Sequence, residues 1–313
     1  MRTILNSLLN DAKSVLKFWN QFWFAPVDLS VVSLFRMCVC TVLFFCYIER
    51  QWNIETYYFD SGYLPVSEIE VSVDKTYNPG FQPYLSSDTA NFYAHLLFLG
   101  LLLAMAAGFG GRKTAWLLFI LHMLFVNRNR MVNYGVDIYA TFWFLYLCLI
   151  DSTKYFRLDS WWKKTKPVKP FPVLESDWVS TVGFRLIQIQ LLVAYAYTGM
   201  EKLKGQTWWN GTAVWTTLMN PQITPWDFSW MKDFPLVIAT LTYVTLIYEV
   251  YAPVGFVWPK TRKYFVMYGM MFHFMIGAMM SLIFFAFLMM AGLTVFIDPV
   301  VVRSWLAKFQ RAS

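Results

Sequence analysis

Charge is scarce in this sequence. Asp, Glu, Lys and Arg make up 14% of 313 residues, against about 25% in an ordinary soluble domain. An aqueous surface for a chain of this length cannot be built from so few charges, so no soluble module is expected. Cysteine is equally uninformative as chemistry. Cys38, Cys40, Cys46 and Cys148 all sit inside apolar runs, which tells against a disulfide framework and against a thiolate metal site. Three histidines, His95, His122 and His273, stand far from one another, and no His/Cys/Asp cluster has metal-ligand spacing. Phosphate loops and a Ser-His-Asp arrangement are also missing. The net charge is +7, but its basic residues fall in short segments between apolar runs. That pattern is topological and excludes a nucleic-acid patch.

What the chain has in abundance is apolar surface: 58% hydrophobic and 20% aromatic residues. Bilayer solvent accommodates that excess and penalises charge. Seven apolar runs stand out, at 29–48, 91–109, 114–126, 136–150, 183–200, 236–257 and 264–297. A single helix over the last would reach about 50 Å at 1.5 Å per residue, so two passes with a break near Gly277 to Ser281 are expected. The runs 114–126 and 136–150 are short for a hydrocarbon core of about 30 Å. The fold expected is therefore an all-α polytopic membrane protein, one domain over 1–313, with about eight transmembrane helices. Before them, Ile4, Leu5, Leu8, Leu9, Ala12, Val15, Leu16 and Trp19 share one face of a helix, with Arg2, Lys13 and Lys17 opposite. Residues 1–24 are read as an interfacial amphipathic helix rather than a cleaved signal.

Sidedness follows from charge. Segment 49–90 carries seven acidic residues against Arg50 and Lys75. Arg112 with Lys113, the lysine-rich stretch 151–182 (Lys163, Lys164, Lys166 and Lys169 among its basic residues), and Lys260 with Arg262 and Lys263 mark basic loops. The positive-inside rule places these and both termini in the cytoplasm. Segments 49–90, 127–135 and 201–235 then share the outer face.

Polar residues inside the apolar runs carry the functional signal. Stepping by three, four and seven from Arg185 gives Gln188, Leu192, Tyr195, Thr198 or Gly199, and Lys202 on one helical stripe. Lipid would reject that stripe, so it should face the bundle interior. Interhelical glue accounts for the glutamines equally well. Lys202 reads either as a snorkelling anchor or as a group poised for chemistry. Arg36 and Glu249 lie at similar depth, counted from the inner ends, and are expected to pair. His273 is the histidine nearest a bilayer midplane. His95 and His122 read as structural. The stretch "NRNRMVNYGVD", 127–137, holds Arg128, Asn129, Arg130, Asn133 and Asp137 and reads as a cavity lining, because polar backbone at depth survives only inside protein or around water.

These pieces occur in a familiar order. "LFRM", "NRNRMVNYGVD", "FRLIQIQLLVAYAYTGMEKLKGQTWWNGTAV", the "YEVYAP" glutamate and "MMFHFMI" together resemble the membrane domain of vitamin K-dependent gamma-glutamyl carboxylase and its bacterial relatives, the horizontally transferred transmembrane (HTTM) proteins. The resemblance covers nearly the whole chain. It implies a bacterial inner (cytoplasmic) membrane location and a lysine base acting on a lipid-soluble, vitamin K hydroquinone-like quinol, with carbon dioxide and oxygen and no metal. Lys202 occupies the lysine of the family's Gly–x–x–Lys–Leu run, and His273 the histidine of its "FH" motif. Arg130 stands where the family has a second histidine, preceded by Asn129, a departure from the carboxylase pattern. Carboxylase also continues into a luminal domain beyond the stretch matched here.

Two readings follow. In the first, an enzyme of the lyase or carboxylase kind, Lys202, desolvated in an outward-facing cavity, acts as base. His273 and Arg130 stabilise the developing anion, and Asn129, Tyr134, Asp137, Tyr195, Gly199 and Trp208 line the substrate site. Gly199 would let a ligand approach the helix, while Trp208 and Trp209 seal the rim. Its partners are the bilayer, a lipid-soluble small molecule and a secreted peptide, with no nucleic acid. In the second, a non-enzymatic membrane factor resembling the sporulation-delaying toxin maturation protein B assists maturation or export of a secreted peptide, and Lys202 is a charge contact.

Overall fold

The computed structural model describes residues 2–72, 84–158 and 173–312. Lys75, Lys163, Lys164, Lys166 and Lys169, used above for sidedness, lie outside them. Helices form wherever the apolar runs predicted them: α1 (Arg2–Phe24), α2 (Leu29–Trp52), α3 (Ile54–Tyr58), α4 (Val66–Ser72), α5 (Asp88–Ala106), α6 (Gly111–Arg128) and α7 (Gly135–Leu147). They continue as α8 (Trp178–Lys204), α9 (Gln206–Trp209), α10 (Ala213–Leu218), α11 (Pro235–Val257), α12 (Pro259–Met279), α13 (Ile283–Leu293) and α14 (Pro299–Ala312). No strand occurs among the described residues.

Their starts follow local chemistry. Asp28 accepts from the amide of Ser30 at the head of α2, and Asp177 from that of Ser180 at the head of α8. Each satisfies an amide that has no intrahelical partner. Proline opens α11 and α12, where its missing N–H costs nothing.

The expected break in the last run is present. α12 stops at Met279 and α13 begins at Ile283, with Ser281 between them at a φ of 52°. A second bend of 106° separates Ile283–Phe296 from Pro299–Ala307, so α14 turns away from the direction of α13. Among the described residues, four helices can cross a membrane on their own by length and apolarity: α2, α5, α8 and α11. The bent pair would make a fifth. α7 is apolar but short.

Successive helices run between two ends of the bundle. At one end Asp28 bridges Glu175, Leu158 donates to Ala107 O, and Arg112 pairs with Asp177 at 2.7 Å. Arg303 of α14 joins this end through Asp28. At the other end Arg128 donates to Leu64 O, Asn129 to Tyr57 O, and Asn91 to Tyr58 O. The core is centred on α2 and draws on α5, α6, α7, α8, α11 and α13, with Trp143 of α7 buried beside Phe35. The exterior is apolar: Tyr93 and Leu97 on α5, Trp116 and Ile120 on α6, and Ile247 and Val254 on α11 are all exposed. A surface of this kind suits lipid and not water.

The expected Arg36–Glu249 pair does not form. Arg36 is fully buried and donates to the carbonyl oxygens of Met105, Tyr155 (3.2 Å) and Phe156 (2.9 Å). Met105 ends α5, where carbonyls lack intrahelical donors and carry partial negative charge. A guanidinium with five donors satisfies several such carbonyls and needs no carboxylate. Glu249 is thereby left for another partner.

Candidate functional site

The candidate residues fall into two groups. The first gathers where α2, α6 and α7 meet. Both oxygens of Asp137 accept from Arg50 at 2.9 Å, Tyr47 donates to the same carboxylate at 2.7 Å, and the amide of Tyr134 donates at 3.0 Å. His122 Nδ1 lies 3.2 Å from Tyr47 Oη, and its Nε2 lies 2.9 Å from Thr141 Oγ1. Asp137 is about 1% exposed, so its carboxylate is consumed within the protein and is not presented to a ligand.

The loop after α6 is knitted in the same way. Arg128 Nη1 donates to Leu64 O at 2.7 Å, and Asn133 Nδ2 to Val126 O at 2.9 Å. Asn129 spends both ends of its amide, donating to Tyr57 O at 2.7 Å and accepting from the Met131 amide at 3.0 Å. Arg130 is exposed. Tyr134 is partly exposed and its hydroxyl lies 3.6 Å from Cys46 Sγ. Of the two only Tyr134 borders a cleft, one of about 130 Å³ lined also by Cys46, Glu49, Arg50, Tyr57 and Phe284.

The second group lies between α8, α11 and α12. Lys202 Nζ is 2.5 Å from Glu249 Oε2, with side chains 22% and 8% exposed. The contact is ionic, and its angles are not those of a hydrogen bond. The Trp208 ring centroid is 5.3 Å from the same nitrogen. Glu201, by contrast, faces away and pairs with Lys204 at 2.6 Å. One to two turns below, Tyr195 Oη lies 2.6 Å from His273 Nε2, both residues buried. His273 Nδ1 is buried without a partner. Tyr195 and Lys202 are seven residues apart, a rise of about 10 Å.

Gly199 does different work from that expected. A Cβ there would meet Val250 N at 2.9 Å and Glu249 C at 3.0 Å. The space beside it is filled by the backbone of α11 and not by a ligand. That close helix approach is what carries Lys202 to Glu249.

Depth is the other finding. Glu249 is fourteen residues into α11, about 21 Å from its start. Apolar side chains are exposed along α11 from Leu236 to Val257. α8 therefore ends beside the middle of α11. Within 201–235, the expected outer-face loop, α9 and α10 pack along the first half of α11. Val214 N donates to Thr242 Oγ1 at 3.2 Å, and Tyr243 Oη to Trp209 O at 2.9 Å.

Phe285 connects the two groups. Its ring centroid is 6.3 Å from those of both His273 and Tyr139, and it packs over Gly135. Of the residues picked out in the sequence, the structure joins Lys202 with Trp208 and Tyr195 with His273. Asn129 and Asp137 belong to the other group. Arg50, Tyr47 and Glu249 were not singled out for the site. Arg50 and Tyr47 share a face of α2 three residues apart, a spacing that signals an inward polar stripe.

Apolar helices, few charges within them, those of Arg36 and Arg185 bonded inside the protein, and an apolar exterior define a multi-pass helical membrane protein. The HTTM domain matches residues 24–300. The chain belongs to the HTTM domain family, a membrane domain found in vitamin K-dependent carboxylase-like proteins. No curated protein and no solved structure matches the chain.

Proposed function

We propose that the protein is a membrane-integral enzyme in which Lys202 takes a proton from a lipid-soluble acidic substrate, of the quinol class. The observation that carries this reading is the place of Lys202: a helix-end lysine set beside the middle of α11, 22% exposed and flanked by the Trp208 indole. An ionisable group at that depth, open on one side, is a functional site by default. A flat ring beside an ammonium also fits a quinol. With carbon dioxide and oxygen as co-substrates the reaction would be carboxylation of a side chain on a secreted peptide. His273, held by Tyr195, orients the substrate from below, and Arg130 at the exposed loop receives its anionic end. Eight passes with both termini cytoplasmic complete the reading. Its support is the alternation of helix ends, and the Arg303–Asp28 contact that returns α14 to the end where α2 begins. α1 and α14 then lie along the inner interface, and the bacterial cytoplasmic membrane is the setting.

Lys202→Ala tests it. The expected outcome is loss of physiological activity with expression and fold retained, and partial rescue by a small exogenous amine at alkaline pH. Full activity of that variant ends the enzymatic reading. One observation favours a second reading, a non-enzymatic maturation or export factor for a secreted peptide: Glu249 already neutralises Lys202. In that case amine has no effect on Lys202→Ala.

A further inference from the structure

Two arginines lie apart from the Lys202 group, where α8 passes the turn between α11 and α12. Arg185 is half-buried on α8; its Nε donates to Phe22 O at 3.0 Å and its Nη1 to Gln188 Oε1 at 2.8 Å. Arg262 is half-buried in the first turn of α12; its Nε donates to Phe256 O at 2.9 Å and its Nη2 to Val257 O at 3.1 Å. The single-turn helix Thr294–Phe296 brings their surroundings together. Gln188, one turn from Arg185, donates to Val295 O at 3.1 Å. The Phe296 ring stacks on that of Phe256, whose carbonyl Arg262 holds, with centroids 4.7 Å apart. The two guanidinium charges repel each other. Among the described residues, neither forms an ion pair with a carboxylate.

Each guanidinium carries five N–H donors, and the protein takes two from each. Neutral oxygens thus orient the two cations without neutralising them. Lys260 and Lys263 join Arg262 at the start of α12, whose first turn holds no acidic residue. Positive charge there opposes the helix dipole, so an anion from outside the chain would relieve both repulsions. Trp258 and Tyr264 flank the same turn and are exposed, as aromatics at a membrane–water interface are. Exposed Val254 and Val257 continue that edge as apolar surface.

We propose that Arg185 and Arg262 form a site for the phosphate of an anionic phospholipid, with its head between α8 and the α11–α12 turn and its chains along the exposed edge of α11. Guanidinium forks match phosphate oxygens in pairs, and basic pockets between transmembrane helices suit anionic heads. A zwitterionic lipid brings the same phosphate with a cation attached, which this site repels. Arg185 also holds α1, through Phe22 O and a ring centroid 5.0 Å away. The bound head therefore ties α1, α8 and α12 together.

Native mass spectrometry of the purified full-length protein, delipidated in a neutral detergent, tests this with phosphatidylglycerol, phosphatidylcholine and inorganic phosphate as probes. The unsubstituted protein should hold phosphatidylglycerol at least about tenfold more tightly than phosphatidylcholine, the scale of one charge-assisted hydrogen bond. Arg185→Gln and Arg262→Gln should each weaken phosphatidylglycerol about tenfold and leave phosphatidylcholine unchanged. Lys17→Gln, on an exposed face of α1, should change neither. A preference that survives both arginine substitutions overturns the proposal. An equal loss in Lys17→Gln also overturns it, since that reports net charge and not a site. Displacement of the lipid by inorganic phosphate at equal concentration overturns the lipid as occupant. Thermal unfolding of each variant without lipid confirms that folded protein is being measured. Should Arg262→Gln fail to fold, Arg262→Lys keeps the charge and loses the fork. That variant should still weaken phosphatidylglycerol, and an unchanged affinity overturns the site.

Discussion

Arg36 and Met105 lie 69 residues apart in sequence and meet where α5 ends, the guanidinium donating to the Met105 carbonyl. A helix C-terminus inside an apolar bundle is thus closed by a cation from another helix, and the turn at Tyr155 and Phe156 is closed by the same group.

Arg36→Met should therefore destabilise the protein by about 3 kcal/mol: the Met105 carbonyl keeps the Gly108 amide at 3.0 Å, but those of Tyr155 and Phe156 lose the guanidinium, at about 1–3 kcal/mol each. Thermal unfolding in detergent measures it. Adding Glu249→Gln should be additive to within about 0.5 kcal/mol, because the two residues share no partner. A double variant more stable than Arg36→Met would reinstate their pairing.

Gly199→Ala should push α8 from α11. The atoms that a Cβ meets are backbone, Val250 N at 2.9 Å and Glu249 C at 3.0 Å, and backbone cannot rotate aside. The expected cost is about 1–3 kcal/mol. Stability unchanged within error would show the contact to be slack.

Acid sensitivity should map to the end of the bundle that holds Asp177. Burial raises the Asp177 carboxyl, but hydrogen bonds from Arg112 and Ser180 outweigh it and hold the group at about 2, below its ordinary 3.8. A depressed carboxylate contributes stability that is complete above the unfolded value and is lost as pH falls. The unfolding temperature of the natural protein should thus exceed that of Asp177→Asn above pH 3.8, and the two curves should converge towards pH 2. The gap should be small, because both partners are about 40% exposed or more and solvent screens them. Identical curves throughout would show that the ion pair contributes nothing.

Cysteines placed at Glu55 and Asp227, both exposed, should react with an impermeant maleimide from outside the cell. One at Lys154 should not. Labelling at 154 from outside would overturn the proposed sidedness.

Much of the architecture was legible because lipid-facing helices write their length as uninterrupted apolar runs. The break between α12 and α13 was placed by length alone, and it falls where 50 Å of helix could not fit. The interior stripe of α8 was legible too, since Tyr195 and Lys202 both face protein. The partner of Lys202 was not. Depth was counted from helix ends as though the helices were flush, and α8 and α11 are staggered so that a terminal lysine meets a mid-helix glutamate. Asp137 and Arg50 are 87 residues apart, and no local periodicity links them. Nor does the sequence say that a carbonyl cage can replace a carboxylate around Arg36.

Asp28 stands at three junctions at once: its carboxylate caps the Ser30 amide of α2 and pairs with Arg303, and its backbone lies opposite Glu175 in a bridge closed by Leu29 N to Leu174 O and Ser176 N to Val27 O. During synthesis these arrive in order. The cap is available as soon as α2 forms, the Glu175 bridge only after α5, α6 and α7, and Arg303 only with α14. The carboxylate of Asp28 therefore keeps one oxygen uncommitted until residue 303 leaves the ribosome. Assembly of this domain has a built-in final latch, and a chain stalled before it would differ from a finished one at its very first pass.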